Sequence, residues 1–535
     1  MSEDIVDILI IGAGASSAAV TWSLADLGTR ILCLEQGDWP NPSDYPSTRK
    51  NWQVLRNIAY NQSPNVRKRD TDYPINEDKS AVSIANFNGV GGGTVLYSGL
   101  FPRFKPSDFR VKTLDGVSDD WPIDYKTLEP YYAQNDKNMG VSGLPGDPAS
   151  PYHELPLPHI PIGKMGEAMG RGFNKLGWHW WPSEAAIISE EFEGRAKCIN
   201  LGPCNSGCAQ GAKSSVDITY WPVNLRKKGI ELKTRCRVRE ITVDDNDMAT
   251  GVIYFDENGI EHHQRAEVVI MACNGIGTPR LLLNSTSKNF PDGLANRSGL
   301  VGKNLMLHPW GLVEGTLDNP LDSHLGPQGA CISSYEFYET NPNRDFVRGY
   351  GLQITRGNPP VNIAINGSLR GEIPWGEGHH EAFQKYYGSN VKIQINCEDL
   401  PEEVNTVTLD PKLTDSNGIP APKVTYRLSE NSKRMIAHGV QRSTEALKAA
   451  GASQVISHGQ VRETGWHLMG TARMGTAQEK SVVNEWGRSH DVRNLFIVDG
   501  SIFVTSGAVN PTSTIQALAL YIADTMKKNL ANLFD

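Results

Sequence analysis

The chain has 535 residues, a formal net charge of -8, and 39% hydrophobic and 21% charged residues. That length exceeds the size at which a single hydrophobic core stops growing, so two packed domains are expected. The acidic balance leaves no basic footprint for nucleic acid or an acidic membrane. No apolar run approaches the roughly 18 residues of a membrane helix, and the first residues are acidic where an export signal needs basic ones, so a cytoplasmic, non-membrane protein is expected.

In chain order, residues 4–11 read as a near-continuous apolar strand, 12–17 as a glycine turn, 18–27 as a helix, and 30–34 as a second strand closed by Glu35. In such a β-α-β unit the first glycine, Gly12, permits the tight turn. The second, Gly14, lets a pyrophosphate approach the backbone, and the helix N-terminus faces the phosphates. Glu35, about 20 residues on, is placed to bind ribose hydroxyls. Ser17 stands where a third glycine or an alanine is usual. Residues 51–83 are charged and rich in turn formers, and are expected to cover a cofactor or form a subunit contact in a homo-oligomer.

Trp178, Trp180 and Trp181 are expected to pack a domain junction. The eight cysteines are scattered and suit free thiols in a reducing compartment. Cys198, Cys204 and Cys208 alone cluster. Their spacing is compatible with iron-sulfur or zinc ligation, but without an evident fourth ligand the expectation is a structural turn and no metal. His262-His263 and His379-His380 are adjacent pairs, whose side chains on a strand would diverge.

Further along, 237–241 reads as a strand, 250–260 as a hairpin and 266–272 as a buried strand. Segments 349–355, 361–369, 392–397, 404–409 and 423–426 are strand-like, and 429–450 is a helix with Ser429 as its N-cap. Alternation over 393–399 puts Gln394, Asn396 and Glu398 on one face, which is either an exposed strand face or a row of hydrogen-bonding groups for a polar ligand. Residues 494–500 form a short strand ending in Asp499-Gly500, a place suited to binding the ribityl chain of FAD. Alone, His467 could be a core histidine, and Asn510 a cap ahead of Pro511.

Several ordered motifs change that weighing: Gly12-Ala13-Gly14 with Glu35, the run from Gly89 to Thr94, Gly277-Thr278-Pro279-Arg280, the run from Val301 to Leu305 with His308-Pro309, the His467 segment from Gly465 to Gly475, and Asp499-Gly500 through Asn510-Pro511-Thr512. Together they resemble the glucose-methanol-choline (GMC) family of FAD oxidoreductases over nearly the whole chain. Two further segments, residues 90–104 and 204–213, look most like the bacterial sugar-oxidising branch of pyranose oxidases and glycoside 3-oxidases.

The resemblance implies an α/β and α+β fold, in which a Rossmann-like FAD domain (1–110, 195–312 and 458–535) accompanies a discontinuous substrate domain (111–194 and 313–457) built on a mostly antiparallel sheet. It implies FAD binding by Gly12, Gly14, Ala15, Ser16, Glu35, Gln36, Gly91, Gly92, Thr94, Val238, Asp499, Gly500, Pro511 and Thr512. His467 would take the hydroxyl proton while the substrate carbon gives hydride to flavin N5, and the Asn510 amide would hold the substrate oxygen. Leu96 stands where relatives with tethered flavin carry histidine, which implies non-covalent FAD. Gln394 and Glu398 would contact the substrate.

The implied reaction oxidises a secondary hydroxyl of a sugar or glycoside, with oxygen or a quinone-like molecule as electron acceptor. A non-sugar alcohol, or a lyase that merely retains FAD, stays open.

Overall fold

A parallel strand buried on both faces needs a continuous apolar run rather than alternation, and Val6–Ile11 supplies one. This computed structural model describes residues 5–329 and 331–534; Asp4, where the first strand was expected to begin, and Glu3 before it lie outside the described residues. Val6–Ile11 pairs in parallel with Ile31–Leu34 on one side and Glu261–Met271 on the other. Ile230–Lys233 adds a further parallel strand beyond Ile31–Leu34, and Leu495–Ile497 runs parallel to Glu261–Met271. The helix Ala15–Leu24 packs against Thr512–Lys528, so both ends of the chain meet in this layer.

Glu261–Met271 extends the buried strand expected at 266–272 back through residues 261–265, up to the end of the expected hairpin at 250–260. Its first half is antiparallel to Ala249–Phe255, with Glu261 opposite Phe255 and Arg265 opposite Gly251. Its second half is parallel to Val6–Ile11, from Ala266 opposite Val6 to Met271 opposite Ile11. Burial follows the change of role: His262 and His263 are exposed, whereas Val268 to Met271 are buried.

The second sheet is antiparallel throughout. Its strand order is Ala452–Val461, Trp310–Leu317, Asn390–Cys397, Tyr350–Arg356, Ile332–Ser334 and Trp181–Pro182. The amphipathic helix Glu430–Ala450 covers one face of it, and the Ser429 side chain accepts from Ser432 N as the expected N-cap. The cuts expected at 312/313 and 457/458 fall inside Trp310–Leu317 and Ala452–Val461, which are hydrogen-bonded neighbours here.

Residues 361–369 form part of the helix Pro360–Leu369 rather than the expected strand. Proline at the first helical position presets its entry, and only Ile363 and Gly367, spaced one helical turn apart, are buried. Residues 51–83, rich in turn formers, nevertheless hold regular elements. They carry the helix Trp52–Asn57 and the strand Asn76–Ser80, which pairs with Pro420–Tyr426 in a three-stranded sheet completed by Thr406–Thr414. No helix among the described residues is long and apolar enough to cross a membrane.

A cavity of about 540 Å³ lies between the carboxyl ends of the parallel strands and the uncovered face of the antiparallel sheet. It runs from Leu34, Glu35 and Gln36 past Gly12 to Ser16, and on to Trp310, Gln394 and His467.

Candidate active site

The inner half of the cavity is a cradle in which bare backbone matters. Gly12 has φ 94°, and a Cβ there would meet Ala272 O at 2.7 Å, so neither the conformation nor the space admits a side chain. Gly92 has φ 51°, and its missing Cβ would stand 2.9 Å from Gly14 Cα, which lets the glycine-rich loop rest on the turn. Ala15–Leu24 begins with no side-chain cap at Gly14, leaving its first N–H groups free for phosphate oxygens. Ser17 fits the usual glycine position because it is fully buried and its hydroxyl donates back to Gly14 O at 2.9 Å.

The buried Glu35 accepts from Ala13 N and Gly37 N, each at 2.8 Å. Burial pushes its carboxyl up, and those backbone donors oppose the shift. Gln36, Thr94, Val238, Gly500, Pro511 and Thr512 also line the cavity. Asp499 is fixed from both sides, since its oxygens accept from Ser501 N at 2.8 Å and from the Thr278 hydroxyl at 2.6 Å. Thr512–Lys528, like the first helix, starts without a side-chain cap, at Pro511. The cavity therefore combines a buried acidic residue with two uncapped helix N-termini, features that suit a dinucleotide.

Gly91 is a correction. It supports the cavity wall from behind, donating to Ala13 O at 2.9 Å, and does not line the cavity. Leu96 does line it, as a buried residue closing the short helical turn that contains Thr94.

At the outer half, two chains of hydrogen bonds meet. His308 Nε2 lies 2.7 Å from Gly507 O and 3.0 Å from Ser506 O. Carbonyls only accept, so this nitrogen carries the proton. Burial pulls the His308 imidazole down to about 4, although the two carbonyls oppose that shift. His467 is driven well below its ordinary value by burial and by His308. Both rings are therefore neutral, and His308 Nδ1 must accept.

The 2.6 Å contact between the two Nδ1 atoms is then a donation from His467. That leaves a lone pair on His467 Nε2, which faces Asn510 Nδ2 at 3.3 Å. The second chain fixes the amide: Gln353 Nε2 donates to Asn510 Oδ1 at 2.7 Å, turning Asn510 Nδ2 toward His467 and the cavity. An acceptor and a donor thus stand side by side, which is what a hydroxyl losing its proton needs. Asn510 is not the helix cap, since that position falls to Pro511.

Gln394 lines the cavity, but Glu398 does not, which corrects the expected substrate pair. The strand ends at Cys397, so alternation no longer governs the next residue. Glu398 N donates to Gly349 O at 3.0 Å, and its carboxylate accepts from Arg348 Nε at 2.8 Å in a fully buried cluster. Burial pushes that carboxyl up to about 8 against the pull of Arg348.

Three residues with a place here were not singled out from the sequence. His308 sits in a recognised motif, but nothing in the chain ties it to a histidine 159 positions away. Gln353 belongs to a strand that showed no polar signal. Trp310 lines the cavity with its ring 5.8 Å from that of His467, and its indole N–H has no acceptor among the described residues.

Of the three clustered cysteines, Cys204 adjoins Asn205 and bonds Gln328, both of which line the cavity. Each sulfur accepts a backbone N–H: Cys198 from Asn200 at 3.4 Å, Cys204 from Gln328 at 3.2 Å and Cys208 from Lys213 at 3.5 Å. Among the described residues no group of three His, Cys, Asp or Glu is arranged to hold a single metal ion.

Two family profiles described as GMC oxidoreductase match the chain, an N-terminal one over residues 6–310 and a C-terminal one over 401–519. The 2-methyl-1,2-propanediol dehydrogenase of Mycolicibacterium austroafricanum is 40% identical over 100% of this chain and 97% of its own length. The 6'''-hydroxyparomomycin C oxidase of Streptomyces lividus is 29% identical over 98% of this chain and 92% of its own. The fructose dehydrogenase large subunit of Gluconobacter japonicus is 28% identical over 98% of both chains. Among solved structures, pyridoxine 4-oxidase from Mesorbium loti superposes with a TM-score of 0.67 at 16% identity, covering 98% of this chain and 99% of that one, a likeness of fold.

Replacing His308 by alanine frees His467 to carry its proton on either nitrogen. Steady-state turnover should fall roughly 10- to 100-fold with cofactor occupancy nearly unchanged. The two depressed imidazoles also predict a pH dependence. Below about 6.5 the unfolded chain takes up protons at both histidines, while folded His308 resists until about 4. Thermal melts should therefore lose stability as pH falls through this window, and a His308→Gln/His467→Gln double variant should show a shallower loss.

Proposed function

Because the chain belongs to the GMC oxidoreductase family, we propose that it is an FAD-dependent enzyme oxidising a secondary hydroxyl of a sugar or glycoside to a ketone. The observation that carries the reading is the fixed pair of His467 Nε2 as acceptor and Asn510 Nδ2 as donor in the cavity that the glycine cradle also lines.

FAD would be held by the Gly12 to Ser16 turn, Glu35, the Gly92 to Thr94 loop, Asp499 and the N-terminus of Thr512–Lys528. When bound it supplies a two-electron acceptor. The substrate hydroxyl proton goes to His467 Nε2, and the carbinol hydrogen leaves with its electron pair, so the alcohol becomes a carbonyl. His308 cannot take a second proton at neutral pH, so it holds the His467 ring while the charge develops. Asn510 Nδ2 donates to the substrate oxygen and keeps it in line with the base.

Substrate preference rests on what surrounds that pair. Trp310 Nε1 is a buried donor without an acceptor, and Gln394 and Thr355 bring further polar groups to the cavity wall. A polyhydroxylated molecule satisfies such groups, and an aliphatic alcohol leaves them unpaired at a cost of about 1–3 kcal/mol each. The 40% identity to a diol dehydrogenase favours a second reading, a small non-sugar diol. Leu96 offers no nucleophile or imidazole for a flavin bond, which supports non-covalent FAD.

The deciding experiment is anaerobic addition of monosaccharides, glycosides, 1,2-diols and simple alcohols, followed by flavin absorbance. Bleaching by sugars, reversed when oxygen or a quinone is admitted, is the expected result. Bleaching by small diols alone would move the assignment to the second reading, and no bleaching by any alcohol would end it. Asn510→Ala should lower turnover about 100-fold while retaining most FAD. Acid precipitation should leave the pellet colourless and the flavin in the supernatant.

A further inference from the structure

The wall of the cavity facing away from the cradle is a regular pattern of cross-strand neighbours. On Asn390–Cys397, Gln394 stands between Leu312 and Gln353, and Lys392 between Glu314 and Thr355. Same-face positions recur every two residues, so Lys392 lies one step, about 7 Å, beyond the Gln394 row. The Gln394 row is the one that touches Asn510, through Gln353. The pattern therefore runs outward from the reacting hydroxyl, and its next step carries a cation.

Two more cations line the same end of the cavity. Arg56 reaches it from Trp52–Asn57, and Arg356 from the end of Tyr350–Arg356. Their charges are poorly answered. Lys392 Nζ lies 3.5 Å from Glu314 Oε1, and Glu314 is shared with Asn358 and His458. Arg356 donates to Pro327 O but meets no carboxylate within ion-pair distance among the described residues. Arg56 has neither hydrogen-bond nor ion-pair partners among them. Glu463 also lines the cavity, exposed and paired with none of the three.

Burial pulls Arg56 below its ordinary value, with only the Cys204 thiol opposing it. Lys392 is pulled down by burial, and the charge of Arg56 adds to that pull. Half-buried cations with little counter-charge are costly, and a bound anion would relieve that cost through charge-assisted hydrogen bonds.

We propose that this outer end is an anion subsite, and that the alcohol substrate carries a carboxylate or phosphate several atoms from the hydroxyl that faces His467. The inference rests on the alcohol-oxidising reading above and narrows its substrate to an acidic polyol. Gln394 and Trp310 would meet the neutral hydroxyls in the middle, with Arg56, Arg356 and Lys392 meeting the charge at the far end.

The test compares matched probes in the FAD-loaded enzyme: D-glucose, D-glucuronate and D-glucose 6-phosphate, and glycerol, glycerate and glycerol 3-phosphate. The readout is anaerobic flavin bleaching at sub-saturating concentration. In at least one series an anionic member should bleach at least 10 times faster than its neutral parent, and whether the carboxylate or the phosphate leads identifies the group. Raising the salt should shrink that ratio, because part of the attraction is screened. Arg56→Gln should bring the ratio toward one, and Arg56→Lys should restore part of it.

Neutral members that bleach as fast as the anions in the wild type would overturn the subsite while leaving the alcohol reading intact. So would an Arg56→Gln variant that slows both classes alike. No bleaching by any probe, together with none in the wider alcohol screen, would remove the alcohol reading and the subsite with it.

Discussion

Two backbone carbonyls, those of Ser506 and Gly507, determine which nitrogen of His467 can receive a proton. They do so through His308, whose ring has one nitrogen committed to them and the other to His467. The arrangement is costly to build. His308 is fully buried and sits at φ 52°, a left-handed conformation that a residue with a Cβ adopts only under constraint. The constraint comes from next door: Leu307 N donates to Asp399 Oδ2 at 3.0 Å, and Ser506 Oγ is tied to both the amide and the carbonyl of Asp399. The loop after Asn390–Cys397 thus holds the donor and the acceptors of the same hydrogen bond.

Behind that loop stands Arg348, buried and bonded to Glu398 and Asp108, each at 2.8 Å, and to Asp115 at 3.1 Å. Asp108 accepts from the Tyr338 hydroxyl at 2.8 Å, and that hydroxyl accepts from Ala508 N at 3.1 Å, two residues before Asn510. One guanidinium therefore braces both segments that converge on His467 and Asn510. Burial raises Glu398 and Asp108, Arg348 pulls both down, and the neighbouring carboxylates push them up again. Removing one partner from such a cluster costs about 3–5 kcal/mol, because a buried charge is left unanswered. Glu398 thus belongs to the support of the site, one layer behind the groups that can touch a ligand.

What could be read from the chain followed locality. The strand, turn, helix and second strand closed by Glu35 are contiguous, and each step has its own stereochemical reason, so the cofactor cradle was legible. His467 and Asn510 were legible through the motifs around them. The contact of His308 with His467 was not, since it depends on two segments brought together by Trp310–Leu317 and the loop before Gly500. Glu398 was misplaced because alternation describes a strand only while the strand lasts, and this one stops at Cys397. Residues 361–369 carry the β-branched residues of a strand, but Pro360 opens a helix there and tertiary burial takes only one side of it. Only the second half of Glu261–Met271 was legible as a strand, because its first half serves a different partner and is polar.

The central claim is a proton location, and nitrogen-15 NMR of histidine-labelled protein, with His308 and His467 assigned through single variants, reads it directly. Both rings should stay neutral from pH 6 to 9, with the proton on Nδ1 of His467 and on Nε2 of His308. A His467 ring protonated on Nε2, or one titrating to imidazolium near its ordinary value of about 6.5, would contradict it.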